Sequence, residues 1–443
     1  MPKHLCACAL LSLVTLLNFV GCDTPAPPPA NTTDSSPSVP EPEPAPAPDP
    51  PPVQDEAAVA RLKELDCKLV IDGNNYVTSV DFTGTQGSDA DLAVLKGLPL
   101  LKQLYLFGPN FTNKGMADVA ALTSLQMLSL EKALFSDEGL QGIAGMTWLT
   151  ALRLRQTDIS NDGLKHLADL DKLRELDLRF TNITDDGLPH LKELAAVDNI
   201  KLERTNVTDV GAKVLAEIPT LRRVNLNLTV VSNEGVIALA QNENLQGLEV
   251  DDTSIDDAAL EPLGKLKKLD TLHLRRDNVG DEGYAYLENS PVLKTLRIRD
   301  TVINDAGCKS LATLANLEVL ELNETIIGDE GLAHLKSLSK LKVLELWFTR
   351  ISNAGLAHLN EMTDLVELNL EDTQINDEGI AHLAGLKNLQ QLNLKLTKVS
   401  DEGLKQLHGL SQLKLLSVGN TQVTEEGIAA IKAAIPGLVV KGY

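Results

Sequence analysis

The apolar positions of this chain recur every 24 residues. One unit reads Leu149-x-x-Leu152-x-Leu154-x-x-Thr157-x-Ile159-x-Asn161-x-Gly163-Leu164-x-x-Leu167-x-x-Leu170. Stepping by 24 from Thr157 in both directions reaches fifteen positions, Thr85 to Thr421, and twelve of them are Thr. Six residues further on, Gly stands in thirteen of the fifteen units, missing only at Asp91 and Ala259. Four residues past the same origin lies Asp or Asn in fourteen units, with Glu425 the exception. No insertion or deletion interrupts the run, so a single repeating unit organises residues 77–436.

The alternation in Leu152-x-Leu154 predicts a short strand with one buried face, and both positions are apolar in all fifteen units. Leu164, Leu167 and Leu170 recur at three-residue spacing, which puts them on one stripe of a short helix. Ser160, Thr184, Thr208, Ser232 and Ser400 directly precede that helix and are followed by Asp or Asn. Hydroxyls there cap helix N-termini, and carboxylates suit the helix dipole. One strand and one short helix cannot bury their leucines alone, so units must stack, strands on one side and helices on the other. The Thr hydroxyl is expected to satisfy backbone groups of adjacent turns hidden from water. The Gly is expected to permit close packing or an unusual backbone angle, since Gly in a helix interior otherwise costs ~1 kcal/mol.

This pattern resembles the leucine-rich repeat family, and its Asp-x-Gly-Leu-x-x-Leu half resembles the cysteine-containing or GALA-type subclass. The resemblance spans residues 77–436 and implies an α/β horseshoe solenoid, with a parallel sheet on the concave face and short helices on the convex face. Residues 55–76 read as an N-terminal cap: a helix from Glu56 to Leu65, an extended run Cys67 to Ile71, and the turn Asp72-Gly73-Asn74-Asn75. Residues 437–443 form the C-terminal end, with a short strand expected at Leu438 to Val440.

Residues 1–22 read as a targeting segment, because the apolar run Leu5 to Val20 is too short for a comfortable membrane span. It closes in Phe19-Val20-Gly21-Cys22, which resembles the lipobox of bacterial lipoproteins, with Phe19 where Leu is usual. That resemblance implies export, lipidation at Cys22, and membrane anchoring in the cell envelope. Residues 23–54 are rich in Pro and Ala and cannot build a core. At ~3.1 Å per residue, such a tether could hold a domain up to about 90 Å from its anchor. From Asp23 to Glu56 it carries seven acids and no Lys or Arg.

Charge narrows the function further. The chain has 40 Lys plus Arg against 62 Asp plus Glu, a net charge of −22, which argues against nucleic-acid binding. Five cysteines are too few for a disulfide scaffold. Cys67 and Cys308 lie about nine repeats apart, or some 40 Å at ~4.8 Å per strand, and are expected to be unpaired buried thiols. The sequence contains no His-Glu-x-x-His, phosphate-binding Gly-rich loop or Gly-x-Ser-x-Gly elbow, so no catalytic residue and no cofactor is assigned. His166, His190, His334, His358 and His382 share one helix phase, read as an exposed row, not a metal site.

Function on such a scaffold belongs where the repeat leaves residues free, at the outward strand positions. One column holds Phe107, Arg155, Arg179, Arg275, Arg299 and Trp347; the next holds Tyr105, Arg153, His273 and Arg297. Arg276 and Phe348 follow immediately at the strand exit. Arg and exposed aromatics are common interface anchors, although charge bands of this kind can also neutralise each other across strands. Ala259, Pro262 and Asp277 break the repeat in one region. The reading that follows is a non-enzymatic protein-interaction scaffold, monomeric and lipid-anchored, binding a protein partner on its concave face. Alternatives are an F-box-like substrate-receptor subunit of a ubiquitin ligase, since F-box proteins carry similar repeats, and binding of envelope polysaccharide.

Overall fold

A computed structural model describes residues 52–442. The expected signal segment, Cys22 and the expected tether up to residue 51 lie outside these residues. The cap begins with a helix, Glu56–Glu64, whose Asp55 accepts from the Ala57 N–H. A first strand, β1 (Lys68–Ile71), pairs antiparallel with β2 (Val77–Asp81). Fourteen three-residue strands follow at 24-residue intervals, from β3 (Gln103–Tyr105) to β16 (Leu415–Ser417). They form one parallel ladder in which each residue faces its counterpart one unit on, as Leu152 faces Leu176. The C-terminal strand β17 (Val439–Lys441) joins the ladder in the same register, one residue later than the sequence suggested. The architecture is the α/β solenoid expected.

The strands end early for a visible reason. The residue before the repeated Thr has a positive φ in every unit: Gly84 and Gly108 first, then thirteen non-glycine residues from Lys132 to Asn420. None of the thirteen is β-branched, and each left-handed residue costs roughly 1–2 kcal/mol. The turn is held all the same, because the residue donates to the next unit, as Gln156 N–H does to the Arg179 carbonyl at 2.9 Å. All twelve Thr hydroxyls also donate to the carbonyl three residues earlier, Thr157 to Leu154 at 2.6 Å, for example. The hydroxyl thus closes its own turn, whereas adjacent turns were expected to be its target.

The convex helices are short, and several are 3₁₀ or begin α and finish 3₁₀, as in Asn161–Leu164 followed by Lys165–Leu167. Apolar positions exactly three apart favour three residues per turn, which stacks them on one line. Their leucines and the inward strand residues merge into one core running from the cap to Leu438.

Between helices runs a second ladder. The Asp or Asn at each helix start accepts from the next unit's capping residue: Asp209 takes the Ser232 N–H at 2.7 Å and the Ser232 hydroxyl at 2.6 Å. It also takes the Gly235 N–H at 2.9 Å. Ser232 meanwhile caps its own helix through the Glu234 N–H. The Gly column follows from this approach, since a Cβ on Gly187 would stand 2.6 Å from Asn161 Oδ1 and 3.1 Å from its Cα. Close packing is therefore the glycine's role. The first unit has no such predecessor, and there Asp91 stands in place of Gly, accepting from the Ser88 N–H at 3.1 Å and from the cap helix's Arg61 at 2.9 Å.

Asp209→Ala strips the acceptor from three donors and is expected to cost about 3 kcal/mol in urea unfolding. Asp209→Asn, the residue that serves at Asn161 and Asn233, is expected to cost less than about 1 kcal/mol. Equal midpoints for the two variants would show that the ladder does not hold the units together.

Candidate binding site on the concave sheet

The in-register ladder turns every outward strand position into a straight column. Across the three outward columns of β2 to β16 stand eleven acids and nine Lys or Arg, so this face is almost neutral in a chain of net charge −22. It also holds seven of the thirteen Arg. No other element among the described residues covers it.

Every basic residue expected at the site has an acidic neighbour. Arg153 pairs with Glu175 at 3.1 Å and Arg155 with Glu131 at 3.7 Å. Arg179 clasps the fully buried Asp177 at 2.7 Å and reaches Glu203 at 3.6 Å. His273 Nδ1 lies 3.6 Å from Glu249. Arg275 crosses two strands to Glu321 at 2.6 Å, and Arg297 approaches the same carboxylate at 3.9 Å. Arg276 sits 3.5 Å from both Asp252 and Asp300. Arg299 donates through Nε to Glu324 Oε1 at 2.8 Å. These pairs leave their mark on acidity. Burial opposes charge on Glu175, yet bonds from Lys201 and Arg153 outweigh it and keep the carboxyl below its usual range. Glu249 is likewise lowered, its burial overcome by His273 and Asn225. Glu345, half-buried, is raised by that desolvation and by the nearby carboxylates of Glu321 and Glu367, which the carboxamides of Asn369 and Asn323 only partly oppose.

Three of the four aromatic candidates, Tyr105, Phe107 and Trp347, are only half-exposed. Trp347 lies under the Arg299 guanidinium at 5.0 Å and beside Phe348, ring centroids 6.4 Å apart. Phe107 sits beneath the Lys132 ammonium at 5.3 Å, and Tyr105 donates to Gln103 at 3.4 Å. Phe348 alone is well exposed, at 58%, because its left-handed backbone turns it off the sheet. The site residues therefore form three groups: Tyr105 and Phe107 at one end, Arg153 to Arg179 next, and His273 to Phe348 beyond. Sequence reasoning missed Phe180, held between Arg155 at 4.8 Å and Arg204 at 5.6 Å. A ring 25 residues past an outward Arg is the signal that could have found it. An open depression of about 230 Å³ lies among Glu203, Asp251, Asp252, Arg275, Arg276 and Arg299.

Asp277, which replaces the ladder Thr, is 3% exposed. Its Oδ1 accepts from the Thr253 N–H at 2.9 Å and lies 3.0 Å from the Thr253 hydroxyl oxygen, whose one proton is shared with the Val250 carbonyl at 2.8 Å. Its Oδ2 has no partner among the described residues. Burial pushes this carboxyl up to about 7, reinforced by Asp251 and Asp252 and only partly opposed by the Thr253 bonds. The two cysteines are unpaired and buried as expected, and burial pushes Cys67 up to about 11 and Cys308 to about 12, so both stay protonated thiols. The histidine row lies half-exposed or exposed on the convex helices, and no group able to hold a metal occurs among the described residues.

The strand ladder, the turn and the short convex helix define a leucine-rich repeat protein, and this chain is one. The family described as Leucine Rich repeat matches residues 145–168, 171–188, 217–240, 289–312, 361–384 and 385–407. Among solved structures, an internalin from Listeria monocytogenes is similar at 24% identity and a TM-score of 0.53, over 68% of this chain and 82% of that one. A leucine-rich repeat protein from Leptospira interrogans is similar at 18% identity and a TM-score of 0.53, over 79% of this chain and 91% of that one. Both share the fold. No curated protein matches the sequence.

The buried Asp277 yields a pH prediction. Its folded pKa of about 7 exceeds the ordinary 3.8, so the unfolded chain loses its proton first. Its contribution to stability therefore falls as pH rises from about 4 to about 7, then levels off. Asp277→Thr is expected to gain about 2–4 kcal/mol over the natural protein at pH 8, and much less at pH 4. Parallel stability–pH curves for the two proteins would refute the assignment.

Proposed function

We propose that this chain is a non-enzymatic protein-binding scaffold of the cysteine-containing, GALA-like kind, held in the bacterial envelope by a lipid on Cys22 and engaging a protein partner on its concave sheet. The observation that carries this reading is the uncovered sheet itself. Its arginines are already oriented by carboxylates, and a Trp stacked on one of them marks the boundary of the charged region. Side chains held in place before binding lose little freedom on association, so their contacts count more fully toward affinity. Paired charges also select a partner by pattern, since a surface of the wrong sequence of signs meets like charges. The lipobox-like end of the signal segment and the Pro-rich tether behind it support display away from a membrane surface. The acidic balance supports a monomer without nucleic acid as a ligand.

Metabolic labelling with a fatty-acid analogue is expected to mark the natural protein and not Cys22→Ser, which should leave the membrane fraction. An unlabelled natural protein would exclude the anchor. Pull-down from solubilised membranes with the full chain supplies the partner for titration. Trp347→Ala and Arg299→Ala are each expected to weaken it by about thirtyfold, some 2 kcal/mol, with unchanged melting. The convex variant His358→Ala is expected to bind normally. Unchanged affinity in the first two would place the interface elsewhere.

A further inference from the structure

The exposed apolar side chains avoid the concave columns. Among the described residues, fourteen large apolar side chains are exposed, and none lies on the outward columns of β2 to β16. Seven of them flank the position of the repeated Thr (Ala133 in one unit) on the strand-exit rim: Leu134, Leu228, Val230, Val302, Ile326, Phe348 and Leu396. The fold does not ask for apolar residues there. The same two positions hold Gln156, Arg204, Asp300, Asn182 and Asn278 in other units, all compatible with the turn. Phe348 and Leu396 moreover occupy the left-handed position, which rewards neither ring nor branch.

Three of the seven converge. Ile326 (48% exposed), Phe348 (58%) and Leu396 (46%) line one groove of about 530 Å³, floored by the Thr side chains of three successive units. Phe348 and Leu396 are two units apart, ~10 Å at ~4.8 Å per strand, a span that three residues of extended chain cover. Around the groove, Glu324 is already held by Arg299. Arg350 and Lys398, both exposed, make no ion pair among the described residues, and one carboxylate, Asp372, is likewise uncompensated. The rim is thus locally cationic around the three apolar side chains, on a molecule whose overall charge is −22.

We propose that this groove docks an extended segment of a protein partner that seats an apolar side chain among Ile326, Phe348 and Leu396 and presents carboxylates to Arg350 and Lys398. The proposal rests on the reading of the chain as a protein-binding scaffold and adds a second surface, continuous with Trp347 through Phe348. An exposed apolar patch beside unpaired cations favours this occupant: the apolar part supplies affinity, and the carboxylates set polarity and exclude basic segments.

Fluorescence anisotropy with the full chain tests it, using labelled decapeptides that alternate Leu or Phe with Glu. Companion peptides replace Glu by Lys, or the apolar residues by Ser. The acidic apolar probe is expected to bind at least tenfold more tightly than either companion. Leu396→Ser is expected to cost it about tenfold, and Arg350→Glu with Lys398→Glu to reverse the preference toward the Lys peptide. Arg155→Ala, on the concave columns, is expected to leave all three unchanged. No binding of the acidic probe, or loss only in Arg155→Ala, would overturn the groove while leaving the scaffold reading intact. Concentration-dependent dimerisation abolished by Leu396→Ser would overturn it in favour of a second copy as occupant.

Discussion

Each unit of this solenoid borrows the last hydrogen bonds of its helix start from the unit before it. The carboxylate or carboxamide of one helix start reaches the backbone N–H of the next cap and, where the cap is Ser or Thr, its hydroxyl; at Gly211 and Gly235 it reaches the glycine N–H as well. Three sequence columns follow from this one contact. The acceptor must be short, the cap must donate, and the residue under the acceptor must be small, Gly at every junction but one and Ala259 there. Where the cap is itself an acid, Asp256, the acceptor before it is Asn233, whose amide donates back at 2.6 Å. An aspartate in that place would set two carboxylates against each other. The same contact, repeated without slippage, keeps the strands in register and so aligns the concave side chains.

That alignment decides what the concave face is. Arg and Glu within one or two strands of each other neutralise most of the charge, and single exposed pairs of this kind contribute little to stability. Their effect is on shape. A guanidinium that clasps Asp177 or Glu321 has fewer orientations left to lose, and Arg299 spends one face on Trp347 and its edge on Glu324. The face is stiff, nearly neutral overall and finely divided in sign.

Much of this was legible in the sequence. Leu152 and Leu154 gave the strand, Leu164 and Leu167 the helix, and Ser160 its cap, because period, propensity and capping all act within one unit. The columns of Arg153, Arg275 and Trp347 were legible for the same reason: register is fixed once the repeat is. What escaped depends on distances between units. Nothing in Asn161 alone says that it serves the following cap, and nothing in Gly163 says which neighbour presses on it. The Arg275–Glu321 pair joins residues 46 apart, so adjacent columns did not reveal it. The exposure of Phe348 depends on a backbone angle, φ +53°, that its side chain does nothing to announce.

Because the seam between units is the same at nearly every junction, a whole unit brings its own acceptor, cap and glycine. Unequal recombination within the gene, in frame at 72 bases, would therefore insert or remove a unit without demanding any new contact. The concave face would lengthen or shorten in steps of ~4.8 Å while its neighbours kept their places. For a lineage carrying this chain, the reach of its surface can change in a single genetic event, whereas its pattern of charges must be rewritten residue by residue.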